Sequence, residues 1–522
     1  MAKKVVIIGG GHNGLVCACY LARAGADVTL LERRHLLGGA AVTESFLPGF
    51  RNSVASYTVS LLHPKIIREL HLHDHGLRIL SRRINNFLPL PDGNALISYP
   101  DADRMQAELA RFSERDARQW PVFMAQMDKI VPIIRDVMLQ TPPSLTGFVA
   151  GDIVKLFRLS RHYLAADNNT RRFLLKLFSV SAGEMLDDLF ESDAVKALLG
   201  FDAVVGNYGS PYTPGSAYVL LHHVVGETNG TSGAWGHAVG GMGAISDAIA
   251  REAAALGVRL ETSVPVARVI VDKGQARGVI TSAGDEIAAD LVVANVNPAL
   301  LYNSLLPVEV VHPDTLAHFR QYKCQSGTFR MNVALSRLPE FRARQVDGVL
   351  EGGIILAPSL GYMDRAYTDA RQLGWSRQPI VEMLIPSLVD GSLAPEGQHV
   401  ASLFCQQFDP ALREAWAGHR DAAIRSIFAV VSAFAPDFED CVLGIDALSP
   451  WDLEQKFGLI GGDIFHGRLS LDQLFSARPM LGMGQYQTDI KGLYLCGSGT
   501  HPGGGVSGIP GHNAAREISR VL

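Results

Sequence analysis

Cysteine is scarce: six in 522 residues, at Cys17, Cys19, Cys324, Cys405, Cys441 and Cys496. No two have the C-x-x-x-x-C spacing of a redox-active dithiol, and no grouping suggests zinc, an iron–sulfur cluster or a disulfide framework. Only Cys17 and Cys19 are close, and two residues apart on a helix they face different sides. They read as small apolar core residues, and scattered thiols suit a reducing compartment. Charge is also sparse. Charged residues make up 19% and the net charge is −5, which leaves no basic surplus for nucleic acid. Long apolar runs are missing, so no spanning helix is expected. The first strand begins at Val5, which leaves no room for a leader and predicts a cytoplasmic chain. H-E-x-x-H, G-x-S-x-G and Walker sequences are lacking too, so neither hydrolysis nor nucleoside triphosphate use is signalled, and no metal site is expected.

Glycine and apolar residues are plentiful, and their order at the start of the chain carries chemistry. Val5-Val6-Ile7-Ile8 is an apolar β-branched run of the kind found in a buried parallel strand. Gly9, Gly11 and Gly14 then satisfy G-x-G-x-x-G, and Leu15 to Ala24 has the small apolar residues of a helix packed on a sheet. Gly25 ends that helix. Asp27 to Leu31 forms a second strand, and Glu32 follows eighteen residues after Gly14. The spacing predicts a dinucleotide site: Gly9 for the tight turn, Gly11 for approach of a pyrophosphate, and Gly14 for close helix–strand packing. The helix N-terminus faces the phosphates. Glu32 can accept from both ribose hydroxyls and would repel a 2′-phosphate, which disfavours NADP.

Six residues beyond Glu32 comes the pair Gly38-Gly39, followed by Ala40. Near the other end, LYLCGSGTHPGGGVSGIPGHNAA runs from strand through glycine-rich loop to helix. These segments, with ERRHLLGGAAVTE, PGFRNSVASYTVSLL and HGLRI, resemble the phytoene desaturase-related FAD-dependent oxidoreductases, within the flavoprotein superfamily that also holds the amine oxidases. Many amine oxidases carry arginine after the Gly-Gly pair, where this chain has Ala40. The resemblance implies an α/β fold: a Rossmann-like, glutathione-reductase-type FAD domain, a mixed β-sheet substrate domain and a helical cap. The expected FAD domain is discontinuous (1–80, 235–300 and 480–522). The substrate domain takes 81–140, 204–234 and 301–479, and the cap 141–203. The resemblance further implies non-covalent FAD at Gly9, Gly11, Asn13, Gly14, Glu32, Arg33, Gly38, Gly39, Ala40, Ala55, Ser56, Val266, Gly497, Val506 and Ser507. Among these, Ala55 and Ser56 would lie along the flavin ring, and the backbone around Val266 would read the adenine.

Between the two ends the pattern is coarser. Phe87 to Leu90 and Ala95 to Tyr99 read as a hairpin about Pro91-Asp92-Gly93-Asn94. Asp101 to Met138 reads as helical, with a start or break at Trp120-Pro121. Tyr208 to Gly243 reads as a loop-rich wall, and Ile287 to Ala294 as strand, with Leu291 to Asn297 returning the chain to the main sheet. From Ile153 to Val180, Lys155, Arg158, Arg161, Arg171, Arg172 and Lys176 stand against Asp167, a balance of six minus one, or +5. Such an amphipathic basic stretch suits either a solvated cap or peripheral membrane contact. For catalysis, flavin can take a hydride directly, so a protein base is optional. His501, inside the C-terminal glycine loop, is the candidate base, and reads equally as a loop histidine bonded to backbone; His222, His223 and His237 could line the substrate wall. Three functions follow from the resemblance. The first is a dehydrogenase or desaturase acting on an apolar or amphipathic small molecule, with an electron acceptor that no motif specifies. The others are a flavin-containing regulatory or binding protein with little turnover, and an amine oxidase.

Overall fold

The computed structural model describes residues 2–147 and 150–522. Two sheets organise it. The first is parallel and five-stranded, in the order Arg259–Glu261, Asp27–Leu31, Lys4–Ile8, Leu291–Ala294 and Leu493–Leu495. Its middle strand shows why the opening run is apolar throughout. Val5 and Ile7 join one core with the helix His12–Arg23, while Val6 and Ile8 join another with Val292 and Leu493. Alternate residues face opposite sides of a sheet, so a strand covered on both sides has no polar position. Val5 lies beside Val28 on one flank and Leu291 on the other. The C-terminal helix, Ile509–Ile518, presses on His12–Arg23 so closely that a Cβ on Gly511 would come 2.1 Å from the Asn13 carbonyl. The helices at the two chain ends thereby pack on one face of the parallel sheet.

The stretch read as strand from Ile287 to Ala294 is broken in two, and its second part returns to the main sheet as expected. Glu286–Ala288 closes a three-stranded antiparallel sheet with Val266–Asp272 and Gln275–Thr281, and Leu291–Ala294 enters the parallel sheet. The chain changes sheets at Asp290, whose carboxylate accepts the Lys4 N–H at 2.8 Å while its own N–H donates to the Lys4 carbonyl at 2.9 Å.

The second sheet has seven strands, in the order Val442–Leu448, Phe329–Leu335, His399–Phe408, Trp375–Leu384, Gly353–Leu356, Asn86–Pro89 and Ala95–Ser98. The last two are the expected hairpin, and the pairing of Gly353–Leu356 with Asn86–Pro89 is parallel. One face packs Met331, Val333, Met383 and Leu403 against Trp416, Ile427 and Val431 of the helix Trp416–Phe434. The other face carries a row of direct neighbours, Arg330, Phe404 and Glu382, toward the parallel sheet.

Helices fill the remainder. Asp101 to Met138 breaks at Ser113, which caps the longer helix Glu114–Met138 by accepting the Asp116 N–H, and not at Pro121. Pro121 lies inside that helix and costs it a backbone bond, yet burial of Phe123, Met127, Ile130 and Val131 holds it together. Helix Ser216–Val224 occupies a stretch expected to be loop. It is apolar almost all round and buried, so it has no period to read. Among the described residues no helix is long and apolar enough to cross a membrane.

Candidate cofactor and substrate site

The site grows from the C-terminal ends of the parallel strands, where α/β folds of this type bind ligands. Gly9 leaves the first strand at φ +98°, a conformation that side chains resist, and its N–H donates to the Leu31 carbonyl at 2.8 Å. Helix His12–Arg23 then begins at Gly11, which has no side chain to cap it. The first N–H groups are left for a ligand. Asn295, at the end of Leu291–Ala294, braces this turn: its Nδ2 donates to the Gly9 carbonyl at 3.0 Å and the Gly11 carbonyl at 3.3 Å. A Cβ on Gly14 would lie 2.4 Å from the Gly9 carbonyl, and one on Gly11 would lie 3.0 Å from Asn295 Nδ2. Gly11 is therefore also held to glycine by Asn295, a constraint separate from any approaching phosphate.

Glu32 is buried and lines the same groove. One carboxylate oxygen accepts the Gly10 N–H at 2.7 Å and the other accepts the Arg34 N–H at 2.8 Å. Arg33 and Gly39 also line the groove, and Arg33 donates to the Gln455 carbonyl at 3.1 Å. Gly38, at φ +122°, bonds the Gly10 carbonyl and packs on Ser246. Val264, Pro265 and Val266 close the far end, tethered by the Val264 N–H to the Glu32 carbonyl.

Two connected chambers result. The first, about 300 Å³, runs from Val266 past Glu32 to Asn13 and Ser498. The second, about 110 Å³, shares His12, Ala40, His466 and Ser498 with the first and continues to Ala55, Ser56, Tyr57, Phe404 and Val506. Asn13 Nδ2 donates to Ser498 Oγ at 3.0 Å and joins the chain's two ends at the junction. Ser56 donates to the Ala40 carbonyl through both its N–H and its hydroxyl, which fixes that wall. Gly497 and Ser507 are set back from the lining. A Cβ on Gly497 would lie 3.2 Å from Asn295 Oδ1, and the Ser507 carbonyl accepts the His63 N–H. Beneath this loop the fully buried Arg478 donates to the carbonyls of Phe465, Gly467, Ser498 and Thr500.

Several buried polar atoms on the lining have no protein partner: His12 Nε2, Asn13 Oδ1, Arg34 Nη1 and His466 Nδ1 in the first chamber, and Ser60 Oγ in the second. Unpaired buried groups of this kind are costly, and they fit a polar ligand. Burial pushes the His12 and His223 imidazoles down to about 4 and His466 down to about 3. All are neutral at pH 7.

His501 stands outside both linings. Its Nε2 bonds the Val137 carbonyl at 3.1 Å and its ring meets Phe475 edge-on, while its Nδ1 has no protein partner. His237 pairs with Asp390 at 3.0 Å, away from both chambers. Of the histidines considered on the substrate wall, His223 does line the second chamber. Asn295, His12, His466 and Ser498 were not picked out by sequence reasoning. The only signal for Asn295 was an amide ending an apolar strand.

Residues 14–328 match the flavin-containing amine oxidoreductase family. Over 99% of its length the chain is 40% identical to pyridine nucleotide-disulfide oxidoreductase domain-containing protein 2 of Mus musculus, covering 93% of that protein. The chain belongs to the flavin-containing amine oxidoreductases. It is also 24% identical to the zeta-carotene-forming phytoene desaturase of Myxococcus xanthus, over 97% of this chain and 91% of that one. Cyclohexylamine oxidase from Brevibacterium oxydans shares the fold at a TM-score of 0.58 and 17% identity, over 100% of both chains. The protein is an FAD-dependent oxidoreductase. The groove suits FAD on its own chemistry: glycine-lined backbone, an uncapped helix N-terminus, a buried acid, and unpaired polar atoms along its length. The disulfide in the mouse protein's name has no counterpart here, since all six cysteines are buried and free.

Proposed function

We propose that this oxidoreductase is a dehydrogenase of the desaturase type, taking hydride from a C–H bond of an apolar or amphipathic substrate in the second chamber. The observation that carries the reading is the lining: Ala55, Leu61, Val205, Trp235, Phe404, Ile464, Phe465 and Val506, with no carboxylate, lysine or arginine among the described lining residues. An ammonium substrate would be desolvated there without a partner, at high cost. A hydrocarbon segment would gain from the same burial.

FAD, when bound, supplies a two-electron acceptor able to take a hydride. The chain holds and encloses. Gly9, Gly11, Asn13, Gly14, Glu32, Arg33, Gly38, Gly39 and Val266 would hold the adenosine diphosphate end. Ala40, Ala55, Ser56, Gly497, Val506 and Ser507 would border the flavin end, where small side chains leave room for a flat ring. The neutral imidazoles of His12, His223 and His466 offer hydrogen bonds without placing a cation beside the reacting carbon.

The reading also places substrate uptake at a lipid surface. Helix Ala150–Ala165 exposes Ile153, Leu156, Phe157 and Leu164, and the next helix exposes Leu175, beside the basic residues of 153–180. We infer a cytoplasmic protein that docks peripherally on an anionic bilayer through this face. The deciding experiment for the chemistry is anaerobic mixing of the yellow protein with candidate reductants. Polyenes or acyl chains should bleach the flavin and amines should not. Bleaching by amines alone, or by nothing tested, would overturn the reading.

A further inference from the structure

Tyr57 stands between the second chamber and an adjoining cleft. It lines both, the cleft being formed with Leu80, Arg82, His237, Glu351, Leu384 and Val389. Its hydroxyl donates to Glu382, its ring stacks on Phe404 at 5.2 Å, and the Arg330 guanidinium lies 4.5 Å from its centroid. Arg330, Phe404 and Glu382 are neighbours across three strands, so this support is built from the sheet itself. Arg330 is spent on neutral acceptors: the Val54 and Leu403 carbonyls and Ser402 Oγ.

Arg82 is different. Its Nη2 donates to Thr58 Oγ1 at 2.6 Å, and Thr58 lines the second chamber. A Cβ on Gly353 would come 2.8 Å from Glu382 Oε1 and 3.4 Å from Arg82 Nη1, which places both groups about one point. Other acids of the neighbourhood are hydrogen-bonded elsewhere. Glu351 pairs with Arg83 at 3.4 Å and Asp390 with His237 at 3.0 Å. Asp202, close to Glu382, is pushed up to about 8 by desolvation and keeps its proton at pH 7. Among the described residues Arg82 has no carboxylate within ion-pair distance, so its guanidinium stands without a salt bridge where the cleft meets an apolar chamber. Arginine matches a carboxylate with paired N–H donors.

We propose that Arg82 receives the carboxylate of an amphipathic substrate whose apolar end passes Tyr57 into the chamber. This rests on the dehydrogenase reading above and specifies its substrate class: an apolar carboxylate.

The test uses the FAD-loaded protein and three probes of one chain length: octanoate, methyl octanoate and octylamine. Perturbation of the flavin's visible spectrum gives each affinity. Octanoate should bind at least about tenfold more tightly than its ester, because a hydrogen-bonded charge is at stake, and octylamine should not bind. Arg82→Gln should abolish the preference for octanoate over the ester while FAD content stays that of the parent, and Arg82→Lys should retain part of it. Equal binding of acid and ester by the parent protein overturns the proposal without any variant. So does undiminished octanoate preference in Arg82→Gln. If carboxylates show no advantage while a neutral acyl chain or polyene still bleaches the flavin, this inference falls and the dehydrogenase reading stands. Bleaching by amines alone defeats both.

Discussion

Glu32 serves the fold and the ligand with one carboxylate. Two of its lone pairs take the N–H groups of Gly10 and Arg34, which leaves others for a ribose. Glu32→Ala should weaken FAD by about ten- to a hundredfold, since hydrogen bonds to a charged group are worth about 1.5–3 kcal/mol. Flavin redox behaviour should not change, and FMN, which lacks the adenosine ribose, should not compete. An unchanged FAD dissociation constant would show that the ribose contacts something else. His501 lies outside both chambers. Its folded value is about 4 against the usual 6.5, so between those pH values the unfolded chain binds the proton and the folded chain does not. Stability is lost as pH falls through that window, by up to roughly 3 kcal/mol from this side chain. His501→Gln should therefore flatten the fall in melting temperature between pH 6.5 and 4, with flavin reduction within about twofold of the parent. A hundredfold slower reduction would return His501 to the chemistry. Glu32 was legible because its distance from Gly14 has a mechanical meaning. Asn295 was not: nothing near it in sequence shows that two glycine carbonyls, from residues 9 and 11, would reach it.

Among the elements, those governed by local patterning matched their sequences. The opening strand, its glycine turn and the 86–98 hairpin are each dictated by burial on known faces or by turn residues. Elements governed by tertiary packing did not. Asp290 diverts a continuous apolar run into two sheets, Pro121 is carried within a helix by its buried neighbours, and Ser216–Val224 is too evenly apolar to show a helical period. The pair Ala150–Ala165 and Asn168–Ser179 was legible as amphipathic, but its ion pairing was not. Lys155 is tied to Asp152 and Arg161 to Asp136, while Arg158 and Arg172 point outward. If this face docks on a bilayer, the protein should float with anionic vesicles at low ionic strength and detach as salt rises. Each basic residue at such a surface adds about 1 kcal/mol, so Arg158→Glu with Arg172→Glu should reduce flotation by roughly thirtyfold or more. Phe157→Ser should remove a component that salt leaves alone. Flotation unaffected by the paired reversal would place any lipid contact elsewhere.

At the scale of the whole molecule, the first chamber has no local existence. Its wall is assembled from Ile8 to Ala40, Val264 to Leu305, Phe457 to His466 and Ser498, stretches that meet only when both chain ends dock on the parallel sheet. FAD should accordingly bind the folded chain and not the unfolded one. Ligand that binds only the native state stabilises it by about 2.7 kcal/mol at a hundredfold excess over the dissociation constant. The melting temperature should climb steadily with the logarithm of free FAD, and FMN at the same concentrations should give little of that rise, because it cannot span from the flavin end to Glu32 and Val266. The attachment should be non-covalent. Cys496 is buried at the end of the last parallel strand with its thiol pushed well up by burial, so it offers no thiolate to a flavin, and acid precipitation should leave the yellow colour in the supernatant. Flavin retained in the pellet would reveal a covalent bond. A melting temperature indifferent to removal and return of FAD would mean that the groove is already closed without it, and that the unpaired atoms of His12, Asn13 and His466 are satisfied by something else.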